Sequence, residues 1–404
     1  MTAKLREYRE ELYPPEDDEV CIENINMFIK FMYDRHMVWV NRFERGLPKE
    51  KWTDNKILKT YKYTNVYRQL DRGTLWALEN IIQPFKDEID KIDIPKDRNG
   101  IKYKEYLEEK KGHFKKLLWE LMLYRLCNRI ETFEKIGLPP YDKFNPLQYF
   151  KRMYLVKNKY HAPMTNAHLT CPCKKGYTKV DGYFVGILDA YFKLDDMTEK
   201  IMKAPRAGKV FDIIKKVENF GGFIAYEIYC DLCYAEAIPF TINDFVNVGP
   251  GAKEGIRIMF PSSSKKLRFV LDRVHDIFYE QDRYFDNLNL EFPYYNKYEP
   301  IDNKLSLRTI EHSLCEFSKY FLQVHDAGKR RLKYAKWSKH KGCKVDPDTG
   351  DTLKYNYKVY KKFFARSESM KRSKMFAKFE KSENKSKATL YHFVDKMKDK
   401  LKIK

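Results

Sequence analysis

Apolar residues recur along most of this chain at helical rather than strand intervals. In residues 21–43, Ile22, Ile25, Phe28, Ile29, Met32, His36 and Trp39 share one stripe, which predicts a core helix with Arg35 and Arg42 off it. Asn65 is placed to N-cap a second helix, in which Val66, Leu70, Gly73, Ala77 and Ile81 face inward and Arg68, Asp71 and Arg72 fall roughly opposite. Residues 114–133 are apolar almost all round, the profile of a central buried helix, and Gly137-Leu138-Pro139-Pro140 stops it. Helical spacing continues over 146–156, 210–217, 223–234, 253–259, 264–279 and 305–321. Strand-like alternation is scarce, so the expected fold class is all-α.

Two glycine turns interrupt this pattern. The first, Glu218-Asn219-Phe220-Gly221-Gly222, joins two helices, and Gly221 and Gly222 permit a positive φ and close backbone approach. Amides at the second helix's N-terminus could then grip a DNA phosphate, although an ordinary helix corner fits the spacing equally well. The second turn is Val248-Gly249-Pro250-Gly251-Ala252, whose proline suits a first helical turn. Arg68, Asp71 and Arg72 suit phosphate or base contact, and equally an i,i+3 surface ion pair. In residues 305–321, Leu307, Ile310, Leu314, Phe317 and Phe321 form a core stripe, with His312, Glu316 and Lys319 on the opposite face. His312 and Glu316 at i,i+4 read as an acid/base pair or a solvated ion pair.

Composition narrows the function classes. The 404 residues, 43% hydrophobic, can hold one large domain or two ordinary ones. The net charge of +21 is uneven: about +17 falls from Lys329 onward, leaving about +4 for the preceding residues. Such a tail, including Lys329, Arg330 and Arg331, suits a polyanion, with a solubilising role as the alternative. Aromatics interleaved with cations in residues 355–364 could stack on unpaired bases. The expected organisation is a leader over 1–20, a helical domain over 21–328 and a basic tail over 329–404. Within the domain, a charged excursion spans 86–111 and an irregular loop 157–182.

No apolar run reaches the length of a membrane span, and the first residues lack the apolar stretch of a secretory signal. Eight irregularly spaced cysteines suggest reduced thiols and an intracellular protein, nuclear for a eukaryotic source or in host cytoplasm for a viral one. His168, Cys171, Cys173, Cys230 and Cys233 could supply zinc ligands. Cys-x-Cys is an unusual knuckle, however, and Cys230 and Cys233 sit mid-helix, so buried thiols and no cofactor are expected. No G-x-x-x-x-G-K-[ST] occurs; Arg206-Ala207-Gly208-Lys209-Val210 lacks its first glycine and its hydroxyl. A Rossmann glycine triplet and a G-x-S-x-G elbow are also absent, so kinase chemistry is not expected of this sequence by itself.

Several stretches together resemble one family. They are Arg35-His36, Trp52-Thr53-Asp54, the block from Lys62 to Thr74, the Gly221 turn, Val248–Ala252 and Leu314–Tyr320. In this order, across residues 25–333, they are similar to the DNA base hypermodification proteins. That group includes the helical domain of 5-hydroxymethyluracil DNA kinases and the α-glutamyl/putrescinyl thymine pyrophosphorylases. The resemblance implies an all-α relative of helix-hairpin-helix DNA glycosylases that binds double-stranded DNA carrying a modified pyrimidine. It implies substitution at the 5-substituent, with a non-catalytic reader working beside a separate kinase or transferase, or a base-excising glycosylase, as alternatives. Implied site residues are Asp71, Asp244 and Glu316 for chemistry. For DNA they are Asn65, Arg68, Arg72, Gly221, Gly222, Gly249, Gly251 and Lys319. The chain departs from glycosylases in having Asn219 where the hairpin's first glycine usually stands, and it has no hairpin lysine.

Deleting residues 329–404 should weaken DNA binding at every sequence and flatten its salt dependence, because phosphate neutralisation is lost. Titrations of a labelled duplex at several salt concentrations test this; an unchanged slope refutes it.

Overall fold

The computed structural model describes residues 20–160, 162–165, 179–264, 266–294 and 303–326. Among these residues the ordered elements are all helices and helical turns, as the periodicity predicts. The described chain divides into two compact units, one formed by residues 20–75 and 241–326 and the other by 76–240.

The first unit is built on α1 (Ile22–Trp39), which ends in one wide π turn over Val40–Glu44. After the short helix α2 (Lys56–Thr60), the chain runs irregularly to a 3-10 turn at Arg68–Leu70, and α3 (Arg72–Ala77) leads out. The unit resumes with α11 (Pro250–Met259), α12 (Leu267–Asn287) and α13 (Leu307–Val324). Small residues set the closest approach. A Cβ on Gly255 would stand 2.6 Å from the Leu314 carbonyl oxygen, and one on Gly251 would stand against Cys315. Only glycine lets α11 lie this near α13. Phe28 and Phe31 of α1 pack on Phe317 and Tyr320 of α13, with ring centroids 5.2 and 4.8 Å apart. Gln281 of α12 is fully buried and bonds both the N–H and the carbonyl of Leu305, fixing the entry to α13. Ser306 then caps that helix by accepting from the Thr309 N–H.

The second unit contains α4 (Gln83–Ile89), α5 (Ile101–Cys127), α6 (Ile130–Ile136) and α7 (Pro146–Lys159). It continues with α8 (Lys179–Met202), α9 (Ala207–Lys215) and α10 (Gly221–Tyr234). Its core surrounds the C-terminal half of α5, where Leu117 to Trp119 and Leu121 to Cys127 are buried. Arg125 lies among these apolar residues. Its guanidinium meets both carboxylate oxygens of Asp231 on α10 at 2.5 and 2.6 Å, with Glu227 at 3.4 Å. Charge pairing in so dry a place needs both partners, because either alone would be a buried uncompensated ion.

Several helix boundaries differ from the sequence reading, most of all around α5 and α8. The predicted helix over 114–133 is broken at Asn128, whose left-handed φ of 48° ends α5 before α6 starts. Towards its N-terminus, α5 reaches back to Ile101, taking in part of the expected excursion. That half is rich in Lys and Glu, good helix formers that need no burial to remain helical. Of the irregular loop expected over 157–182, residues 157–159 belong to α7 and Lys179 to Gly182 to α8.

Arg125→Met should destabilise the protein by about 3–5 kcal/mol in urea denaturation, since it strands Asp231 and Glu227. A loss below about 1 kcal/mol would show that the ion pair is dispensable.

Candidate functional site

The block from Tyr63 to Asp71, predicted as the start of a helix, is instead a folded turn. Asn65 caps no helix. Its backbone N–H donates to Asp71 Oδ1 at 3.0 Å, and its side-chain amide donates to the Leu70 carbonyl at 2.8 Å. Asp71 Oδ2 pairs with Arg68 at i,i+3, as the spacing allowed, although Arg68 is buried rather than solvent-facing. The reason for the difference is competition: short Asn and Asp side chains offer the backbone local partners that replace the helical ladder.

Arg35, expected off the core stripe of α1, is also buried and holds this turn from outside. Its guanidinium donates to the carbonyls of Tyr63 and Thr64 at 2.8 and 2.9 Å and to Asn65 Oδ1 at 2.8 Å. From the other side comes α13. The Thr64 hydroxyl lies 2.5 Å from His312 Nε2, and the Thr64 N–H donates to Glu316 Oε2 at 3.2 Å. Glu316 Oε1 meets Lys319 at 2.5 Å. The face of α13 carrying His312 and Glu316 is therefore not a solvated one. Glu316 is 3% exposed, and both side chains converge on Thr64. The sequence could not reveal this, because the turn that covers that face is almost 250 residues away.

A carboxylate one turn earlier extends the network. Glu311 Oε1 accepts the Gly249 N–H at 3.2 Å, and its other oxygen lies 3.7 Å from Arg308. Gly249 thus serves at the N-terminus of α11, where a carboxylate is favoured by the helix's unpaired amides. Gly251 lies inside that helix against Cys315, with Pro250 in the first turn as predicted. Arg72 and Lys319 carry the cluster's charge to the surface, with Lys319 46% exposed.

Asp244 occupies an exposed turn, where its Oδ2 accepts from the Thr241 N–H and lies 2.9 Å from the Thr241 hydroxyl. Gly221 and Gly222 start α10 in the other unit. Gly221 has φ +57° and the preceding Asn219 has φ +65°, so the tight reversal exists as predicted. Asn219 donates to the Gly182 carbonyl at 2.8 Å, and a Cβ on Gly186 would stand 2.9 Å from the Glu218 carbonyl oxygen, so α8 backs the turn closely. Lys215, Lys216, Gly221 and Phe223 lie exposed along it.

Cys230 and Cys233 are buried thiols on α10, as expected, while His168, Cys171 and Cys173 lie outside the described residues. No group of three or more metal-ligating side chains forms among the described residues. Burial pushes the Cys127 thiol up to about 12 and also raises Cys315, so neither is a ready nucleophile near neutral pH. Lys329, Arg330 and Arg331 fall outside the described residues, as does the whole basic tail. No described helix is long and apolar enough to cross a membrane.

One further group is not signalled by the hydrophobic pattern. Glu120 on α5 is pushed up to about 7 by burial, against the nearby Lys116 and with the like charge of Glu88. Its apolar neighbours in sequence conceal it.

An all-α framework whose first unit closes on a partly buried Arg–Asn–Asp–His–Glu cluster defines the class, and comparison with known proteins gives the family. The model of the 5-hmdU DNA kinase helical domain matches residues 23–92 and 97–330, about three quarters of the chain, and the chain belongs to that family. It is also 26% identical over 312 residues to a protein of Bacillus phage SP10 named 5-hmdU DNA kinase. That alignment covers 73% of this chain and 44% of the relative, so the chain spans less than half of the phage protein's length. No solved structure matches.

His36 stacks between Phe292, at 5.0 Å, and Trp39, at 6.0 Å, with Nε2 against the Pro293 carbonyl. Burial, opposed by that hydrogen bond and aided by the Arg35 charge, lowers its pKa from 6.5 to about 4. A histidine held neutral contributes stability fully above about pH 6.5 and loses it as pH falls towards 4. Wild type should therefore lose about 2 kcal/mol more than His36→Phe between pH 7.5 and 5 in urea denaturation. Parallel losses in the two proteins would overturn this.

Proposed function

We propose that this chain binds double-stranded DNA carrying 5-hydroxymethyluracil or its activated ester and takes part in replacing the substituent at the base's 5-position. The observation that carries the reading is the convergence of the turn from Tyr63 to Asp71, within the stretch that matches the family, with His312 and Glu316 on one partly buried polar network. Buried polar groups of this density are expensive unless fully bonded, and in soluble proteins they concentrate where chemistry or recognition needs fixed geometry. In this proposal the domain is a glycosylase-like helix-hairpin-helix fold, and the Gly221 turn grips backbone phosphate with Lys215 and Lys216 beside it. The extruded base is read on the Asn65–Arg72 side.

In the reaction we favour, an amine nitrogen forms a bond to the 5-methylene carbon. The carbon–oxygen bond breaks, pyrophosphate leaves with the electron pair, and the amine proton passes to a base. His312, with Thr64 at 2.5 Å, is the better base candidate. Asp71 is held by Asn65 and Arg68, and Asp244 closes its own turn.

The same engagement of the carboxylates favours a second reading, a non-catalytic reader that recruits a separate kinase or transferase. Incubation of the full chain with duplexes bearing pyrophosphorylated 5-hydroxymethyluracil and candidate amines, followed by nucleoside mass analysis, separates the two. Catalysis predicts a new nucleoside, reduced at least about 100-fold in His312→Gln with duplex affinity nearly unchanged. No new nucleoside, together with modification-selective binding, establishes the reader. No product and no selectivity would sink both.

A further inference from the structure

At the end of α1 the π turn projects side chains that the candidate site does not use. Arg42 lies 4.5 Å from the centroid of the Phe43 ring and 4.9 Å from that of Trp52. Phe43 is 59% exposed. The loop beneath is braced: Asn41 donates to the Trp52 carbonyl, the Trp52 indole N–H donates to the Leu47 carbonyl, and the Leu47 N–H donates to the Asn41 carbonyl. Arg45 also bonds Asn41 Oδ1, and Lys59 reaches the Glu50 carbonyl. This surface is therefore set before any partner arrives.

Its charge is just as distinctive. Residues 40–62 contain seven Lys or Arg against three Asp or Glu, a net of +4, which matches the net charge of all 328 residues ahead of the basic tail. Arg42, Arg45, Lys49, Lys51, Lys56 and Lys62 are exposed. An exposed ring amid cations suits a nucleic-acid strand, in which each phosphate alternates with an aromatic face. It suits a lipid surface poorly, since a membrane-seated face needs a broad apolar stripe and Phe43 is the only exposed large apolar side chain described between Ile22 and Ile94. The surface is also joined to the cluster described above. From His36, next to Arg35, two ring-to-ring steps of 6.0 Å lead through Trp39 to Phe43.

We propose that the Arg42–Phe43–Trp52 surface is a DNA-docking platform. Arg42, Arg45, Lys49 and Lys51 take backbone phosphates of the strand flanking the target base, and Phe43 stacks on or wedges beside an unstacked base. The platform supplies affinity and register, not recognition of the modification. This rests on the reading of the protein as one that binds modified DNA, yet it can fail or survive separately.

The test uses the full chain and two fluorescein-labelled duplexes, one with 5-hydroxymethyluracil and one with thymine. Arg45→Glu/Lys51→Glu should weaken both by roughly tenfold or more and reduce the salt slope by about two, the expectation for two lost phosphate contacts. Phe43→Ala should weaken both at least about fivefold with the slope unchanged. Both variants alter exposed side chains, and an unchanged melting temperature confirms that they fold. Affinities and slopes equal to wild type overturn the platform. So does release of the variants from phosphatidylserine vesicles that capture wild type, with duplex binding intact. If wild type binds the two duplexes alike while the variants still weaken both, the modified-base reading falls and the platform stands.

Discussion

The first unit depends on the Arg35 guanidinium. One fork of donors on α1 satisfies the Tyr63 and Thr64 carbonyls and the Asn65 side chain, which would otherwise be costly in a half-buried turn. With that turn held, Thr64 presents its N–H and hydroxyl to α13, and Asp71 is positioned to accept from Asn65 and pair with Arg68. A lysine could not replace Arg35, because a single ammonium has no planar fork for three acceptors. Arg35 thus holds the turn whose Thr64 meets His312 and Glu316.

The second unit reaches the same end by another route. Its central helix is apolar on every side near Arg125, and the Asp231 and Glu227 carboxylates on α10 neutralise that one charge. The glycine turn opening α10 is held from behind by α8, through Gly186 and the Asn219 side chain. The glycine turn is therefore a closely packed corner, with Lys215, Lys216 and Phe223 exposed along its rim. In each unit a buried arginine is matched to acceptors from another element: backbone carbonyls and Asn65 for Arg35, and the α10 carboxylates for Arg125.

Membership of the 5-hmdU DNA kinase helical-domain family gives this arrangement its context, and the coverage limits how far the context extends. The chain matches less than half of the phage relative's length, so that relative's full activity is not transferred by similarity alone. What this chain contributes must be argued from its own residues: a fixed polar cluster, a tight helical reversal and a basic aromatic surface beside α1.

Periodicity determined the all-α class and most helices, since a 3.6-residue apolar stripe has few other outlets and burial rewards it directly. It also located the glycine turns, because Gly221 and Pro250 have backbone preferences that act locally. It misread the block around Asn65 as helix and the His312 face as solvated. The Asn65 block departs from helix because Asp71 and the Asn65 side chain offer its backbone local partners; the His312 face is covered by a segment distant in sequence, which a local pattern cannot register. Arg35 lies off its helix's apolar stripe yet is buried for that second reason, because its partners at Tyr63, Thr64 and Asn65 come from another segment. The sequence by itself determined the all-α class, most of the helices and the two glycine turns. Only the tertiary structure decided which charges are buried, because desolvation and pairing depend on what folds over them from elsewhere in the chain.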